Sequence, residues 1–280
     1  MKDIQCVEFL QWVLPRLRLR WPGFRKVRKQ VCKRLQRRLQ ELQLADLEAY
    51  RGYLAEHPSE WRHLDALCRI SISRFFRDRG VFEQLASEAL PLLIRLREKS
   101  EAGRRLRIWC AGCASGEEPY TLRLIWHFRY QTAHPDVPVE IIATDLDPGL
   151  LERARTGCYP ENSLKDLPGG WRDEAFAVRG HQFCLRPELK NGVQFHKQDL
   201  REEAPAGPFH LIACRNLAFT YFAEPLQREV LARLEAVLQP GGLLVIGSKE
   251  SLPAGSRSLK PFAGRGLFQK ISPDGEKDSS

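Results

Sequence analysis

Two neighbouring carboxylates follow a turn of small residues in the middle of the chain. Glu117 and Glu118 come directly after segment 111–116, where Gly112 and Gly116 tolerate positive φ angles and let a ligand approach the backbone closely. A helix N-terminus suits anions, but two glutamates would repel a pyrophosphate there. The spacing Gly-x-x-x-Gly also differs from the dinucleotide pattern Gly-x-Gly-x-x-Gly. We therefore expect a nucleoside ligand with a cationic group and no phosphate, and S-adenosylmethionine fits that description.

The elements that must position these residues alternate between strands and helices. A strand is predicted over 105–110, and apolar residues at helical spacing predict a helix that begins at Glu117. A second strand over 139–143 leads to Asp145, and an acid at this place can accept hydrogen bonds from both hydroxyls of a ribose. Asp147 is instead the expected N-cap of the next helix.

The second half of the chain continues this α/β pattern after one interruption. Segment 157–192 contains short apolar pieces and a hairpin, which predict a small inserted β-subdomain. Strands are predicted at 193–196, 210–214, 243–247 and 267–271, a helix at 225–238, and a turn at Pro240-Gly241-Gly242. This succession predicts a doubly wound, Rossmann-like α/β domain over 79–271, followed by a flexible polar tail at 272–280.

A helical pattern without strands begins the chain and predicts an N-terminal helical domain with its linker over 1–78. Asp46 and Ser59 are the expected caps of two of its helices. Segment 69–78 breaks the helical pattern with hydroxyl and β-branched residues. We expect it to link the two domains, with the pair Phe75-Phe76 packed at the domain interface.

The net charge of +9 belongs to one segment. Eleven Lys and Arg residues and no acid lie between Pro15 and Gln40, and leaving them out gives the rest of the chain a net charge of −2. Most of them lie on the polar faces of an amphipathic helix predicted over 24–42. These cations either form a solvated face or bind an acidic protein segment. Aromatic residues do not alternate with the charges as in a single-strand binding platform, so nucleic acid is the less favoured partner.

Composition excludes several classes of protein. The sequence has no run of about twenty apolar residues and no secretory leader pattern, so we expect a cytoplasmic protein without membrane insertion. In a reducing compartment, the eight cysteines are expected to be buried hydrophobes rather than disulfides. Cys110 and Cys113 have the spacing of a redox pair, which stays an alternative. No second pair completes a zinc site, so we expect no bound metal.

Several motifs occur in an order that matches one known family. They are Arg37-Arg38 in the basic helix, Ser73-Arg74-Phe75-Phe76-Arg77-Asp78, Ala114-Ser115-Gly116-Glu117-Glu118-Pro119-Tyr120, Ala143-Thr144-Asp145, Cys214-Arg215-Asn216 and Pro240-Gly241-Gly242. Together they cover about 24–271 and resemble the CheR family of S-adenosylmethionine-dependent methyltransferases, known for methylating glutamates on bacterial chemoreceptors. The resemblance implies a class I methyltransferase domain with an N-terminal helical domain and an inserted β-subdomain. It also implies S-adenosylmethionine as cofactor and S-adenosylhomocysteine as product.

The same resemblance implies roles for individual residues. Glu117 would lie near the methionine end of the cofactor, next to the Gly112 turn, and Asp145 would hold the ribose. The other implied cofactor contacts are Asp199 and Leu200 at the adenine, Asn216 and Leu217 in the same pocket, and Ser73 and Arg77 at its opening. Arg77 and Tyr221 would contact an acceptor carboxylate, which is ionised at neutral pH and needs no general base.

The motifs on the acceptor side depart from those of the chemoreceptor enzymes. One extra residue separates Asn216 from the Tyr221-Phe222 pair, and Gly247-Ser248-Lys249-Glu250 stands where the family has Gly-His-Ser-Glu. The leading interpretation is a methyltransferase that acts on a protein glutamate. Three alternatives stay open: a stand-alone enzyme for a small molecule or another acceptor, a non-catalytic module that senses S-adenosylmethionine, and an RNA-directed enzyme.

Overall fold

The computed structural model describes residues 3–97 and 105–271, which divide into two compact units. The first unit contains the described chain up to Ser71 and the short segment Thr220–Leu226, and the second contains Ile72–Phe219 and the chain from Gln227 onward. The tail predicted at 272–280 lies outside the described residues. Within the described ranges, none of the helices combines the length and the apolar character that a membrane crossing requires.

The first unit is helical. Its helices are α1 (Asp3–Val13), α2 (Trp21–Phe24), α3 (Arg28–Glu41), α4 (Leu47–Glu56) and α5 (Glu60–Cys68), with a 3-10 turn at Leu14–Leu17. The Asp46 cap is confirmed, because its carboxylate accepts hydrogen bonds from the N–H groups of Glu48 (3.0 Å) and Ala49 (2.9 Å). The Ser59 cap is wrong, because its side chain makes no capping hydrogen bond.

The basic helix is shorter than predicted and uses some of its cations internally. α3 begins at Arg28, because residues 21–24 form the separate helix α2, with Pro22 in its first turn, and residues 25–27 form a turn between the two helices. Arg38 donates from Nε and Nη2 to Glu60 at 2.9 and 2.7 Å, and the Tyr50 hydroxyl donates to the same carboxylate at 2.7 Å. Burial of Glu60 opposes its ionisation, but these hydrogen bonds outweigh burial and lower its pKa. Part of the basic face therefore stabilises the helical unit itself.

The second unit contains two sheets. The strands are β1 (Leu106–Ala111), β2 (Val139–Asp145), β3 (Cys158–Pro160), β4 (Phe176–Arg179), β5 (Gln182–Leu185), β6 (Val193–Lys197), β7 (Phe209–Ala213), β8 (Leu238–Val245), β9 (Leu259–Pro261) and β10 (Leu267–Lys270). The helices from residue 79 onward are α6 (Arg79–Gln84), α7 (Leu90–Arg97), α8 (Glu117–Arg129), α9 (Pro148–Thr156), α10 (Glu161–Leu164), α11 (Trp171–Ala175), α12 (Ala218–Tyr221) and α13 (Glu224–Val237).

The large sheet has the strand order β6-β2-β1-β7-β8-β10-β9. Its first five strands pair in parallel, and β10 pairs antiparallel with β8 and β9. Buried apolar side chains of β1, β2, β7 and β8 form a core with α7 and α8. The strand order reverses between β1 and β7, and open α/β sheets bind ligands at the carboxyl ends of the strands beside such a switch point. The predicted doubly wound α/β class is confirmed.

Two elements of this unit differ from the predicted ones. β8 continues through Pro240-Gly241-Gly242, where a turn is predicted, and its pairing with β7 shifts register between Phe209 and Leu211. Gly241 has a φ of 76°, so the strand bends there without ending. The apolar pattern of residues 81–98 predicts one helix, but a π-helical turn at Leu85–Ala89 interrupts the described part of it and joins α6 to α7.

The small sheet is antiparallel, with the order β3-β5-β4. The predicted hairpin is present as β4 and β5, and Arg179 pairs with Gln182 next to its turn. A 3-10 turn at Pro187–Lys190 follows the sheet and precedes β6.

Four of the eight cysteines form disulfides, so the expectation of free thiols is wrong for them. Cys6–Cys32 joins α1 to α3, and Cys158–Cys184 joins β3 to β5. Cys158 and Cys184 occupy paired positions of two antiparallel strands, a proximity that their spacing along the chain does not reveal. The remaining four are free and buried, as predicted: Cys68, Cys110, Cys113 and Cys214.

Candidate functional site

The turn of small residues connects β1 to α8 and takes left-handed backbone at three positions. Gly112, Ala114 and Gly116 have φ angles of 79°, 48° and 90°. The N–H groups of Gly112 and Cys113 donate to the Thr144 carbonyl oxygen at 2.8 and 2.9 Å. These two hydrogen bonds fix the turn at the carboxyl end of β2, beside the switch point of the sheet.

The two glycines of this turn make room for protein atoms. A Cβ at Gly112 would lie 2.3 Å from Leu217 Cδ2, so two predicted cofactor residues are in contact. A Cβ at Gly116 would lie 2.9 Å from Ala154 Cβ and 3.1 Å from the Tyr159 hydroxyl. The expectation that Gly116 leaves space for a ligand is therefore wrong, since the space is filled by α9 and β3. Gly116 serves backbone conformation and packing.

Asp145 lies at the end of β2, and both of its carboxylate oxygens are oriented by backbone. Oδ2 accepts a hydrogen bond from Ala114 N at 2.9 Å, and Oδ1 accepts one from Asp147 N at 2.9 Å. Burial raises the pKa of Asp145, and these hydrogen bonds oppose the rise. Each oxygen keeps a second lone pair, so the carboxylate can accept two hydroxyl groups. Asp147 caps α9 as predicted, because its Oδ1 accepts from Gly149 N at 2.8 Å.

Glu117 is a buried carboxylate at the start of α8. The residue is 2% exposed, and its two oxygens accept from Ser115 Oγ at 3.1 and 2.9 Å. The Tyr159 hydroxyl donates to the Ser115 carbonyl oxygen at 2.8 Å and so supports the turn from β3. No cation in the part of the chain that the structure describes forms an ion pair with Glu117. Because a buried charge is costly without a countercharge, the site suits a cationic ligand.

Ser73 and Arg77 lie on the segment that precedes α6. Ser73 is half-buried in irregular backbone, and Arg77 is half-buried in the turn that follows. Arg77 Nη1 donates to the Ile72 carbonyl oxygen. Burial raises the pKa of Glu118, and the nearby charges of Arg215 and Arg77 oppose that rise. Among the described residues no carboxylate forms an ion pair with Arg77, so its guanidinium is suited to bind the carboxylate of a ligand.

The two phenylalanines of the same segment lie in the hydrophobic core of the second unit. The Phe75 ring centroid lies 5.0 Å from that of Tyr159, and the Phe76 ring centroid lies 5.5 Å from that of Trp171. The expectation that both pack at the domain interface is therefore corrected, because the aromatic partners come from the small sheet and its flanking helix α11.

Asp199 and Leu200 follow β6 at the same edge of the sheet. Gln198 N donates to the Asp145 carbonyl oxygen at 3.1 Å, which holds this segment beside the end of β2. The Asp199 carboxylate accepts from Arg201 Nη2 at 2.8 Å and from Arg201 N at 2.9 Å. Leu200 is buried, at 6% exposure. The adenine contact of these two residues stays a prediction.

Asn216 follows β7 with left-handed backbone, at a φ of 55°. Its N–H donates to Glu250 Oε2 at 2.7 Å, and the N–H of Gly247 donates to the same oxygen at 2.7 Å. Glu250 thereby ties the end of β7 to the end of β8. Leu217, the next residue, packs over Gly112.

Sequence reasoning misses a buried ion cluster at this edge. Arg215 forms ion pairs with Glu118 at 3.0 Å and with Asp78 at 3.1 Å. A cavity of about 390 Å³ opens beside Asp78, and its wall includes Arg79 and Arg265. The Cys214-Arg215-Asn216 motif could have indicated this cluster, because an arginine at the end of a buried strand needs carboxylate partners.

A family model described as "CheR methyltransferase, SAM binding domain" matches residues 71–265. The chain belongs to the CheR methyltransferase family. The matched segment is an S-adenosylmethionine-binding methyltransferase domain, and S-adenosylmethionine is its cofactor, as the sequence motifs predict.

Three relatives of this CheR-family chain illustrate its similarity. The chemotaxis protein methyltransferase 2 of Pseudomonas aeruginosa is 32% identical over 237 residues, covering 82% of this chain and 81% of that protein. The chemotaxis protein methyltransferase of Listeria monocytogenes is 34% identical over 187 residues, covering 67% of this chain and 68% of that protein. A Rhodobacter capsulatus protein, named an uncharacterized 104.1 kDa protein in the hypE 3′ region, is 32% identical over 222 residues. That match covers 79% of this chain and 23% of the longer protein.

The chemical groups of S-adenosylmethionine fit the donors and acceptors of this CheR-family site. Glu117 offers a buried carboxylate that pairs with no cation of residues 3–97 and 105–271, which suits an ammonium or sulfonium group. Arg77 offers a guanidinium for a carboxylate, and Asp145 offers two oriented oxygens for ribose hydroxyls. All three lie in the second unit and within the segment matched by the family model.

The Cys110 and Cys113 pair does not have the properties of a redox site. Burial raises the pKa of both thiols well above the ordinary value, so little of the reactive thiolate forms. Both residues are buried in the core that surrounds β1. Within residues 3–97 and 105–271, no three His, Cys, Asp or Glu side chains are grouped in a way that would hold a metal ion.

Tyr221 belongs to the first unit. Its side chain is 8% exposed, and its ring stacks edge-on against Phe24 with the centroids 5.2 Å apart. Its carbonyl oxygen accepts a hydrogen bond from Arg20 N at 2.8 Å. The contact of Tyr221 with an acceptor stays a prediction.

Proposed function

We propose that this chain transfers a methyl group from S-adenosylmethionine to the carboxylate of a glutamate on an acidic protein segment. The observation that carries the acceptor class is a stripe of exposed cations on α3, formed by Lys29, Lys33 and Arg37. None of the three forms an ion pair within the described part of the chain. Their four-residue spacing places them on one face of the helix over about 12 Å. A segment with carboxylates at similar spacing is complementary to that face.

Other arginines of the same helix do not support this proposal, because they already have partners within the unit. Arg28 pairs with Asp3 at 2.8 Å, and Arg34 Nη1 donates to the Leu67 carbonyl oxygen at 3.1 Å. Arg38 pairs with Glu60 as described above. The proposal therefore rests on the three cations of the stripe and not on the total charge of the segment.

The residues of the second unit suit this reaction without a general base. S-adenosylmethionine, when bound, supplies an electrophilic methyl group on a sulfonium. A glutamate acceptor has a reference pKa of about 4.3 and is ionised at neutral pH. The chain therefore has to bind, align and desolvate the reactants. We assign Glu117 to the ammonium of the cofactor and Asp145 to its ribose. We assign Arg77 to the carboxylates at this site, those of the cofactor and of the acceptor.

The proposal is tested by incubating the full chain with methyl-labelled S-adenosylmethionine and either host lysate or an acidic helical peptide. The expected product is a protein methyl ester, which releases labelled methanol at alkaline pH. Base-stable label on protein, label in a small molecule, or no transfer with intact cofactor binding would overturn the carboxylate acceptor.

Two matched variants test the cation stripe. Arg37→Ala should raise the KM for the acidic acceptor about threefold at low salt and leave kcat unchanged, because an exposed charge mainly assists encounter. Arg62→Ala removes a charge that is also exposed, on α5, and should leave KM unchanged. Equal effects of the two variants would contradict a defined acceptor surface on α3.

A further inference from the structure

A buried guanidinium lies at the carboxyl end of β7. The Arg215 side chain is 3% exposed, and a buried charge is costly unless polar partners surround it. Nη1 donates to Glu118 Oε2 at 3.0 Å, while Nη2 donates to Asp78 Oδ2 at 3.1 Å and to the Arg77 carbonyl oxygen at 2.6 Å. The guanidinium also lies over the Phe82 ring, 4.6 Å from its centroid. Arg215 therefore joins the first turn of α8 to the Arg77-Asp78 peptide.

The backbone that Arg215 holds is strained. Phe76 and Asp78 have φ angles of 51° and 62°, in the left-handed region that non-glycine residues rarely adopt, and Arg77 lies between them. Each such residue costs about 1 kcal/mol or more and persists only where the surrounding contacts hold it. On the other side of Arg77, Phe76 N donates to Thr121 Oγ1 at 3.1 Å. The segment is thus fixed before and after Arg77 by hydrogen bonds to α8 and to Arg215.

Both carboxylates that pair with Arg215 are held in place in turn. Glu118 is fixed in the first turn of α8, one residue after Glu117. The Asn216 amide donates to Asp78 Oδ2 at 3.4 Å, so Asp78 is held from the end of β7 as well. Two of these three hydrogen bonds of Arg215 go to Arg77 and Asp78, and the third goes to Glu118 on α8.

We propose that Arg215, Glu118 and Asp78 form a positioning unit, the arginine clamp, which holds Arg77 in the conformation that binds the carboxylate of the cofactor's amino-acid group. The clamp acts through Arg77 and does not itself touch the cofactor. This inference rests on the proposed function only in taking Arg77 as a carboxylate-binding residue, and it does not depend on the acceptor.

The test compares two ligands by isothermal titration of the full chain. S-adenosylhomocysteine carries the amino-acid carboxylate, whereas 5′-methylthioadenosine has the same nucleoside and lacks the amino-acid group. Arg215→Lys keeps the charge but cannot reach all three acceptors, because lysine lacks the planar fork of arginine. It should raise the Kd for S-adenosylhomocysteine about tenfold and change that for methylthioadenosine less than about twofold.

A double-mutant cycle separates positioning from general stabilisation. Arg77→Ala should weaken S-adenosylhomocysteine binding selectively, as Arg215→Lys does. The double variant Arg77→Ala/Arg215→Lys should bind S-adenosylhomocysteine no more weakly than Arg77→Ala alone. Asp78→Asn, a milder change, should act in the same direction as Arg215→Lys. The matched control is Arg107→Lys, which alters a half-buried arginine on β1 that pairs with Glu140 on β2 at 2.8 Å. It should lower stability without changing the ratio of the two affinities.

The outcomes distinguish this inference from the function on which it rests. Equal weakening of both ligands by Arg215→Lys, additive effects in the cycle, or wild-type selectivity in Arg215→Lys would overturn the clamp alone. A wild-type chain that binds neither ligand would overturn the cofactor assignments and the clamp together. The expected result is a loss confined to the ligand with the carboxylate.

Discussion

Replacing Glu117 by glutamine should change folding and cofactor binding in opposite directions. Glutamine keeps the size of the side chain and an oxygen that accepts from Ser115 Oγ. Without ligand, the carboxylate is 2% exposed and forms no ion pair within the described residues, so removing its charge should stabilise the fold by on the order of 1 kcal/mol. With ligand, the variant loses a charge-assisted hydrogen bond worth about 1.5–3 kcal/mol. The Kd for S-adenosylhomocysteine should therefore rise about 10- to 150-fold.

The assay combines urea unfolding of the ligand-free chain with isothermal titration of S-adenosylhomocysteine. Ser115→Ala is the control, because it removes the hydroxyl donor and keeps the buried charge. This variant should be less stable than the wild type and should lose less affinity than Glu117→Gln. Wild-type affinity in Glu117→Gln would show that Glu117 does not face the ammonium. A less stable ligand-free Glu117→Gln would show that the carboxylate already has a countercharge.

Three further predictions concern stability and thiol chemistry. Arg38→Ala should lower the free energy of unfolding in urea by about 3 kcal/mol, because it leaves Glu60 buried without its cation. Arg37→Ala should change this free energy by less than about 0.5 kcal/mol. Equal effects of the two variants would contradict the different roles of Arg37 and Arg38. Burial lowers the pKa of His210 to about 4, while the unfolded value is near 6.5, so the unfolded chain binds the proton first as the pH falls. The free energy of unfolding should then fall by about 1.4 kcal/mol per pH unit between about pH 6.5 and pH 4. His210→Asn keeps an acceptor for Arg107 N and should lose this part of the pH dependence in urea titrations. An unchanged slope in the variant would refute the role of His210. The denatured, unreduced chain should titrate as four free thiols, and Cys158→Ser should add one by releasing Cys184, whereas eight thiols in the wild type would exclude both disulfides.

The part of the site that sequence predicts best is the part made by neighbours along the chain. Asp145 accepts from Asp147 N two residues later, and Glu117 accepts from Ser115 two residues earlier. The Asp46 cap is equally local, and its extended backbone, with φ −159° and ψ −176°, suits an N-cap. Ser59 has the same kind of side chain but helical backbone, with φ −66° and ψ −26°, so it cannot cap in the same way. Residue type predicts a cap only where the backbone conformation agrees.

The features that sequence does not predict depend on partners far along the chain. Arg38 meets Glu60 across 22 positions, and Arg215 meets Asp78 across 137. A charge run has the same pattern in the sequence whether its members face solvent or pair within the fold, so Arg37 and Arg38 look equivalent although only Arg38 holds Glu60. The Cys158–Cys184 disulfide has the same origin, because two antiparallel strands bring these cysteines together.

The make-up of the first unit also decides how the basic helix can be studied. Leu19 forms a β-bridge with Phe222, Arg20 N donates to the Tyr221 carbonyl oxygen at 2.8 Å, and Ala223 N donates to the Arg18 carbonyl oxygen at 2.8 Å. A truncated chain that starts at residue 72 would therefore strip these partners from Thr220–Leu226 and uncover Phe222, which is 7% exposed in the whole chain. Loss of activity after such a truncation would report damage next to Tyr221 rather than the loss of an acceptor surface. The helical unit is thus not a detachable module, and its contribution can be measured only by point substitutions on an intact chain.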